Sequence, residues 1–179
     1  MRVPLSLVFA LLLGLAACGN PADLDNFDVT IEEMTSVPGA TPVEILLDSF
    51  PVVDGLANFD ISNSSEFQNG QYSPDDVGSV RLKRLTMSVV SPDGQDLSFF
   101  GDVVFLLSTD GLPTIEVATA SEFPEGVSSV NFDTSGADIK EYVLAKEGSF
   151  TVEVSDTKRP PQETALKITA VFEVDLGIL

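Results

Sequence analysis

Two stretches near the end of the chain decide the fold: Phe150–Ser155, FTVEVS, and Leu166–Leu176, LKITAVFEVDL. In both, apolar side chains alternate with polar ones, which is the period of a strand with one buried face and one wet face. The longer stretch keeps one phase apolar throughout, at Leu166, Ile168, Ala170, Phe172, Val174 and Leu176. Lys158–Pro161 lies in the loop between the two stretches, so the pattern predicts a closing antiparallel hairpin with a long loop.

Short apolar runs between turn residues continue towards the N-terminus. Gly, Pro, Asn and Asp separate these runs at the spacing of an antiparallel sandwich or barrel. The runs are Phe27–Glu32, Val43–Leu47, Ala57–Ser62, Val80–Val90, Leu97–Phe100, Val103–Leu107, Ile115–Ala120 and Val127–Phe132. The sequence therefore predicts an all-β fold: an antiparallel β-sandwich, immunoglobulin-like or jelly-roll-like, with about nine strands.

One or two short helical turns are expected within this sandwich. Ser73–Asp76 has the order of a helix start, with Ser as N-cap, Pro at the first position and acidic residues in the first turn. Gly78 is expected to end that helix after one turn. Ser64–Asn69 is a second candidate, and Ile139–Leu144 is compatible with either a strand or a helical turn.

The long run Val80–Val90 changes phase in its middle. Val80 and Leu82 share one phase, whereas Leu85, Met87 and Val89 share the other. A strand of period two cannot bury both sets on one face. A β-bulge near Lys83 and Arg84 would bring the two sets together.

The N-terminus is a targeting segment rather than part of the fold. Arg2 gives a positive start, Leu5–Leu15 is apolar, and small residues lead to Cys18, the only cysteine. The apolar run is shorter than the ~20 residues that span a bilayer, so the pattern is that of a secretory signal. Leu15–Cys18 resembles the lipobox of bacterial lipoproteins. That resemblance implies cleavage before Cys18 and acylation of its sulfur and amino group, which anchors the chain in a membrane.

This interpretation divides the chain into a signal peptide, residues 1–17, a lipidated tether, residues 18–26, and a β-sandwich domain, residues 27–179. The tether holds the domain near its membrane, because eight extended residues reach about 26–29 Å. Gly19 follows the cysteine and is similar to the residue found there in outer-membrane lipoproteins. The expected location is the cell envelope, with the outer membrane favoured over the inner membrane in a Gram-negative cell.

Composition excludes several function classes. Loss of Arg2 with the signal leaves 8 basic against 28 acidic residues, a net charge of −20, which repels nucleic acids. The chain has no His and no Trp. A nucleophile that depends on imidazole is therefore excluded, as are zinc sites built from His or Cys. The acidity is explained either by solubility or by binding of divalent cations or a basic partner.

Two sets of charged residues are candidate sites. Asp133 and Asp138 lie on either side of Gly136 and are the best calcium candidates, since calcium takes oxygen ligands from loops; the alternative is ordinary turn chemistry. Arg81, Lys83 and Arg84 fall within four positions. They form either a docking patch for an acidic partner or a glycan phosphate, or a charged wet face that balances nearby acids.

The function expected from these features is a membrane-anchored binding or structural module of the envelope that is not an enzyme. The membrane, through lipidated Cys18, and an envelope protein are its expected partners, and no cofactor is expected beyond calcium. The first alternative is a carrier or chaperone for a lipophilic ligand held between the sheets. The second is a hydrolase that uses carboxylates alone.

Overall fold

A computed structural model of the chain describes residues 26–41, 61–145 and 149–177. The lipobox-like segment, nearly all of the tether, the run Val43–Leu47 and most of Ala57–Ser62 lie outside the described residues. The expectations for those segments therefore stay predictions.

The described residues form two four-stranded antiparallel sheets, which confirms the predicted β-sandwich. The first sheet has the strand order β1-β8-β2-β5 and the second β6-β4-β3-β7. The strands are β1 (Asn26–Val37), β2 (Val77–Ser91), β3 (Asp102–Ser108), β4 (Ile115–Ala120), β5 (Ser129–Asn131), β6 (Asp133–Thr134), β7 (Ser149–Ser155) and β8 (Thr164–Leu176).

The core lies between the two sheets and is filled mainly by aliphatic and phenylalanine side chains. On β8 the predicted apolar phase is buried along its whole length, because this strand lies between β1 and β2 and its inward side chains pack against the second sheet. Phe172 on β8 contacts Phe150 on β7 across the sandwich, with ring centroids 6.1 Å apart. Phe105 and Phe132 meet edge to face at 5.1 Å. Such aromatic contacts add to the free energy gained from the buried area.

The predicted closing hairpin is wrong. β7 pairs with β3 in the second sheet, whereas β8 lies between β1 and β2 in the first. Alternation correctly predicted which side chains of the two strands are the less exposed ones, but it carries no information about which strand lies alongside. The intervening loop is longer than the turns of two to five residues that fix hairpin pairing, and it carries the chain from one sheet to the other.

The strand order separates the two predicted sandwich types. Among the described strands, the last one, β8, lies between the first two, β1 and β2. In immunoglobulin constant domains the corresponding sheet has the order A-B-E-D, which keeps the first two strands adjacent. Here the chain also changes sheet after β2, β4, β5 and β7. This interleaved path is that of a jelly roll.

The bulge in β2 is confirmed at the predicted place. The pairing with β8 runs from Leu82–Phe172 to Arg84–Val171, so Lys83 is an extra residue without a partner in the ladder. Residues from both apolar sets are buried on the inner face as a result: Val80, Leu82, Leu85 and Met87.

Both short helical turns that the sequence predicts before β2 are present. Helix α1 (Ser65–Asn69) begins after Ser64, whose hydroxyl accepts a hydrogen bond from the backbone N–H of Phe67 at 3.2 Å. Pro74–Asp76 forms a 3-10 helix. Gly78 lies within β2 rather than at a helix end, because the helix already ends at Asp76; its Cα lies against the backbone of Gly177.

Three further assignments are settled. The ambiguous stretch Ile139–Leu144 contains helix α2 (Lys140–Val143). The described end of the predicted strand Ala57–Ser62 is wrong, because Ile61 and Ser62 lie in a 3-10 helix, Ile61–Asn63. The predicted strand Leu97–Phe100 is instead a tight turn closed by a hydrogen bond from the Phe100 N–H to the Leu97 carbonyl, 3.0 Å. Phe99 and Phe100 are both buried, and two consecutive side chains cannot both point inward from a regular strand.

Candidate functional site

The outer face of the first sheet carries all three residues of the predicted basic patch. Arg81 lies opposite Glu173 of β8, and Arg84 lies opposite Val171. Because Glu173 and Val171 share the outward phase of β8, both arginines point away from the core. The bulge is what places Arg84 on the same face as Arg81, since a regular strand would put positions three apart on opposite faces.

Lys83 forms ion pairs with other residues of this face. Its Nζ lies 2.9 Å from Asp28 Oδ2 on β1 and 3.4 Å from Glu173 Oε2 on β8. The hydrogen bond to Asp28 is the main cause that raises the pKa of Lys83 above its ordinary value. The position of Lys83 therefore agrees with a charged face that balances nearby acids rather than with a docking patch for a partner.

The two arginines differ from Lys83. The guanidinium of Arg81 donates to Ser79 Oγ at 3.0 Å, and Arg84 is exposed. Among the described residues neither one forms an ion pair with a carboxylate. In an acidic chain, these two guanidinium groups are the part of the predicted patch that remains open to an anionic group.

Asp133 and Asp138 are placed differently by the fold. Asp138 Oδ1 accepts hydrogen bonds from the backbone N–H groups of Val80 and Lys140, both at 3.0 Å, and so joins the start of α2 to β2. Asp133 is an exposed residue of β6. Within the described ranges, no three His, Cys, Asp or Glu side chains lie close enough together to hold a metal ion. Calcium binding by this pair therefore stays a prediction.

A polar pocket of about 440 Å³ opens near β4, β5 and β6. Its lining includes two carboxylates, Glu122 and Asp133, and the amide of Asn131. The remaining lining residues are Thr119, Ala120, Ser121 and Val130. Sequence reasoning singled out Asp133 but missed Glu122 and Asn131, because they meet only when β5 and β6 join different sheets.

Sequence analysis also missed the extent of β1. The predicted strand Phe27–Glu32 is confirmed, but the observed strand continues to Val37 and includes Glu33. Glu33 lies opposite Ile168, a core residue of β8, so it occupies the inward phase of β1. The pair of adjacent acids Glu32-Glu33 breaks the alternation in the sequence, and that break concealed the continuation.

No helix within the described part of the chain combines the length and apolar character that crossing a bilayer requires. No protein-family model matches the sequence, and no curated protein matches it. Among solved structures, the chain is similar to a decameric BFDV capsid protein, with 11% identity over 83% of this chain and 98% of that one, and a TM-score of 0.40. A 60-mer of BFDV capsid protein gives 10% identity over 84% and 93%, with a TM-score of 0.38.

Proposed function

We propose that this chain is a lipid-anchored protein of the cell envelope whose β-sandwich binds or supports a partner protein and performs no catalysis. The observation that carries the proposal is the position of Cys18 in the lipobox-like segment, a few residues before β1 begins at Asn26. A tether of that length keeps the sandwich within about 30 Å of the membrane. The outer membrane is the proposed location in a Gram-negative cell.

The described surface supports binding rather than chemistry. Within the described ranges Arg81 and Arg84 form no ion pair, and they present positive charge on the outer face of the first sheet, next to the ion-paired Lys83. Phenylalanine rings and aliphatic side chains fill the space between the sheets. The resulting rigid sandwich is a suitable platform for a protein contact.

Replacement of Cys18 tests the anchoring. We expect Cys18→Ser to move the protein from the membrane fraction to the soluble fraction, because acyl chains cannot be attached to serine in this pathway and the tether is otherwise polar. Gly19→Ala is the matched control, since it leaves the cysteine in place. A Cys18→Ser variant that stays with the membrane at high salt contradicts the proposal.

Purification from the native envelope separates the remaining alternatives. A stoichiometric protein partner supports the binding role. A lipid that is extracted in stoichiometric amount, without a protein partner, supports the carrier instead. Hydrolysis of an envelope glycan that is lost in Asp133→Asn supports the carboxylate hydrolase.

A further inference from the structure

Three reverse turns of the sandwich share one geometry and an acidic residue that is followed by glycine. In each, the N–H of the fourth residue donates a hydrogen bond to the carbonyl of the first, at 3.2–3.3 Å. The glycine is the third residue, and its φ is 79°, 83° or 77°. A positive φ at the third residue is typical of a type II turn. The three turns are residues 92–95, 109–112 and 124–127.

An Asp-Gly pair in an open turn carries the two groups of a known self-reaction. The backbone nitrogen of the glycine attacks the side-chain carboxyl carbon of the aspartate. The new C–N bond closes a five-membered succinimide, and the carboxyl oxygen leaves as water. Water then opens the ring at either of its two carbonyls, and opening at the main-chain carbonyl directs the backbone through the β-carbon, as isoaspartate. Glycine favours the attack because it has no side chain to shield its nitrogen.

The turns at Asp93 and Asp110 leave both reacting groups free. Within the described ranges the N–H groups of Gly94 and Gly111 have no hydrogen-bond acceptor. The carboxylates of Asp93 and Asp110 are exposed and form no hydrogen bond or ion pair with the described residues. Apart from the adjacent residues, no atom lies within 4 Å of the place that a Cβ would take on either glycine. The backbone therefore has room to bring nitrogen and carboxyl carbon together.

The third turn has the same shape but different chemistry. Its acidic residue is Glu125, whose longer side chain would have to close a six-membered ring, a slower reaction. The N–H of Gly126 also donates a hydrogen bond to Asp96 Oδ2 at 2.7 Å. Turn shape alone therefore does not make this pair reactive.

Helix α1 restrains a fourth pair, Asn69-Gly70. Its side chain is the more reactive one, because an amide loses ammonia more readily than a carboxyl group loses water. In the fold, however, the Gly70 N–H donates to the carbonyl of Glu66 at 3.1 Å, at the end of α1. The ring of Tyr72 also lies against Gly70. Attack by the Gly70 nitrogen requires this end of the helix to open first.

We propose that Asp93 and Asp110 are sites of spontaneous isomerisation to isoaspartate in the folded protein, and that α1 protects Asn69 from deamidation. The order of reactivity in the fold is thus the reverse of the order expected from the dipeptides. The proposal is independent of the anchoring and binding role. Asp54-Gly55 lies outside the described residues and is not part of it.

Ageing of the purified full-length protein in water enriched in heavy oxygen tests the proposal, because each opening of a succinimide adds one oxygen from the solvent. Peptide mapping with electron-transfer fragmentation distinguishes isoaspartate from aspartate. At Asp93 and Asp110 we expect isoaspartate to form at a rate within about twofold of that in the guanidinium-unfolded chain, since the fold restrains neither turn. Asn69 should deamidate about tenfold more slowly in the folded protein than in the unfolded chain, because a hydrogen bond has to be broken first.

Two variants compare the same chemistry in different surroundings. Asp93→Asn places an Asn-Gly pair in the open turn, and position 93 should then deamidate about tenfold faster than Asn69 of the same molecule. Ser64→Ala removes the hydroxyl that caps α1 and should speed deamidation of Asn69 about fivefold. Ser65→Ala is the matched control, because the Ser65 hydroxyl donates to the Glu66 carboxylate rather than capping the helix backbone.

Each part of the proposal has an outcome that would overturn it. Isoaspartate that is no more frequent at Asp93 and Asp110 than at Asp133, which threonine follows, would remove the assigned sites. Equal deamidation of Asn69 in the folded and unfolded chain would remove the protection by α1. Equal rates at Asn69 and at position 93 of Asp93→Asn would do the same.

Discussion

Removal of Lys83 from β2 tests the bulge directly, because Lys83 is the extra residue between the pairs Leu82–Phe172 and Arg84–Val171. Without it, the apolar residues on either side of the bulge fall into a single period-two pattern. We therefore expect the deletion to leave the inner face of β2 intact. The loss should be limited to the ion pairs that Lys83 forms with Asp28 and Glu173.

Deletion of Thr86, in the regular part of the same strand, should have a much larger effect. Either the strand beyond it reverses its faces, which exposes Met87, or the bulge is absorbed, which moves Leu85 outward and Arg84 inward. Met87 and Leu85 are 0% and 2% exposed. Loss of one such side chain from a core costs about 2–5 kcal/mol, a large part of the roughly 5–15 kcal/mol that stabilises a domain.

Urea unfolding of the two deletions and of Lys83→Ala provides the assay. Lys83→Ala keeps the strand length and so measures the lost ion pairs alone. We expect the Lys83 deletion to match Lys83→Ala in free energy of unfolding, and the Thr86 deletion to lie about 2–5 kcal/mol lower. The reasoning is refuted if the two deletions are equally destabilising, or if the Thr86 deletion is tolerated.

Two further predictions concern other parts of the sandwich. Asp96 accepts hydrogen bonds from the backbone N–H of Gly126 at 2.7 Å and from both the N–H and the hydroxyl of Ser98, which lowers its pKa below the ordinary 3.8. Asp96 contributes its full stabilisation above pH 3.8, the ordinary pKa, and this contribution is lost as the pH falls through the lower pKa of the folded protein. The melting temperatures of wild type and Asp96→Asn should therefore differ at pH 6 and converge towards pH 2. Phe172→Ala should lower the free energy of unfolding by about 3–5 kcal/mol, because a fully buried ring is removed from the central strand. Phe150→Ala is the control, because the ring of Phe150 is only half-buried. If chemical denaturation shows that Phe172→Ala lowers the free energy of unfolding no more than Phe150→Ala does, the packing described for the core is contradicted.

Alternation of side chains predicted the fold class and most of the core, because burial on one face of a strand leaves a direct record in the sequence. The phase change around Lys83 even located the bulge. Strand pairing left no such record: β8 is equally alternating whether it pairs with β7 or with β1 and β2. Pairing depends on loop paths and packing between the sheets, which single-strand periodicity does not contain.

The candidate site was predictable only in part. Arg81, Lys83 and Arg84 lie close together in the sequence, so the cluster could be predicted. The carboxylates that form ion pairs with Lys83 come from strands that are far away in the chain, so these ion pairs could not. Asp138 was selected as an oxygen ligand, whereas its carboxylate joins β2 to α2.

In the anchoring that we propose, the ladder between β1 and β8 predicts which end of the sandwich lies nearer the membrane. Asn26, where the tether enters, lies opposite Asp175, near the C-terminal end of the chain. The opposite end of the ladder, at Val37, lies about 40 Å away at ~3.4 Å per residue, and the turn after Ser91 leaves the sheet at that end. A reporter fused to the C-terminus would therefore crowd the bilayer, whereas an epitope tag inserted at Gly94, where the surrounding space is open, would stand at the membrane-distal tip.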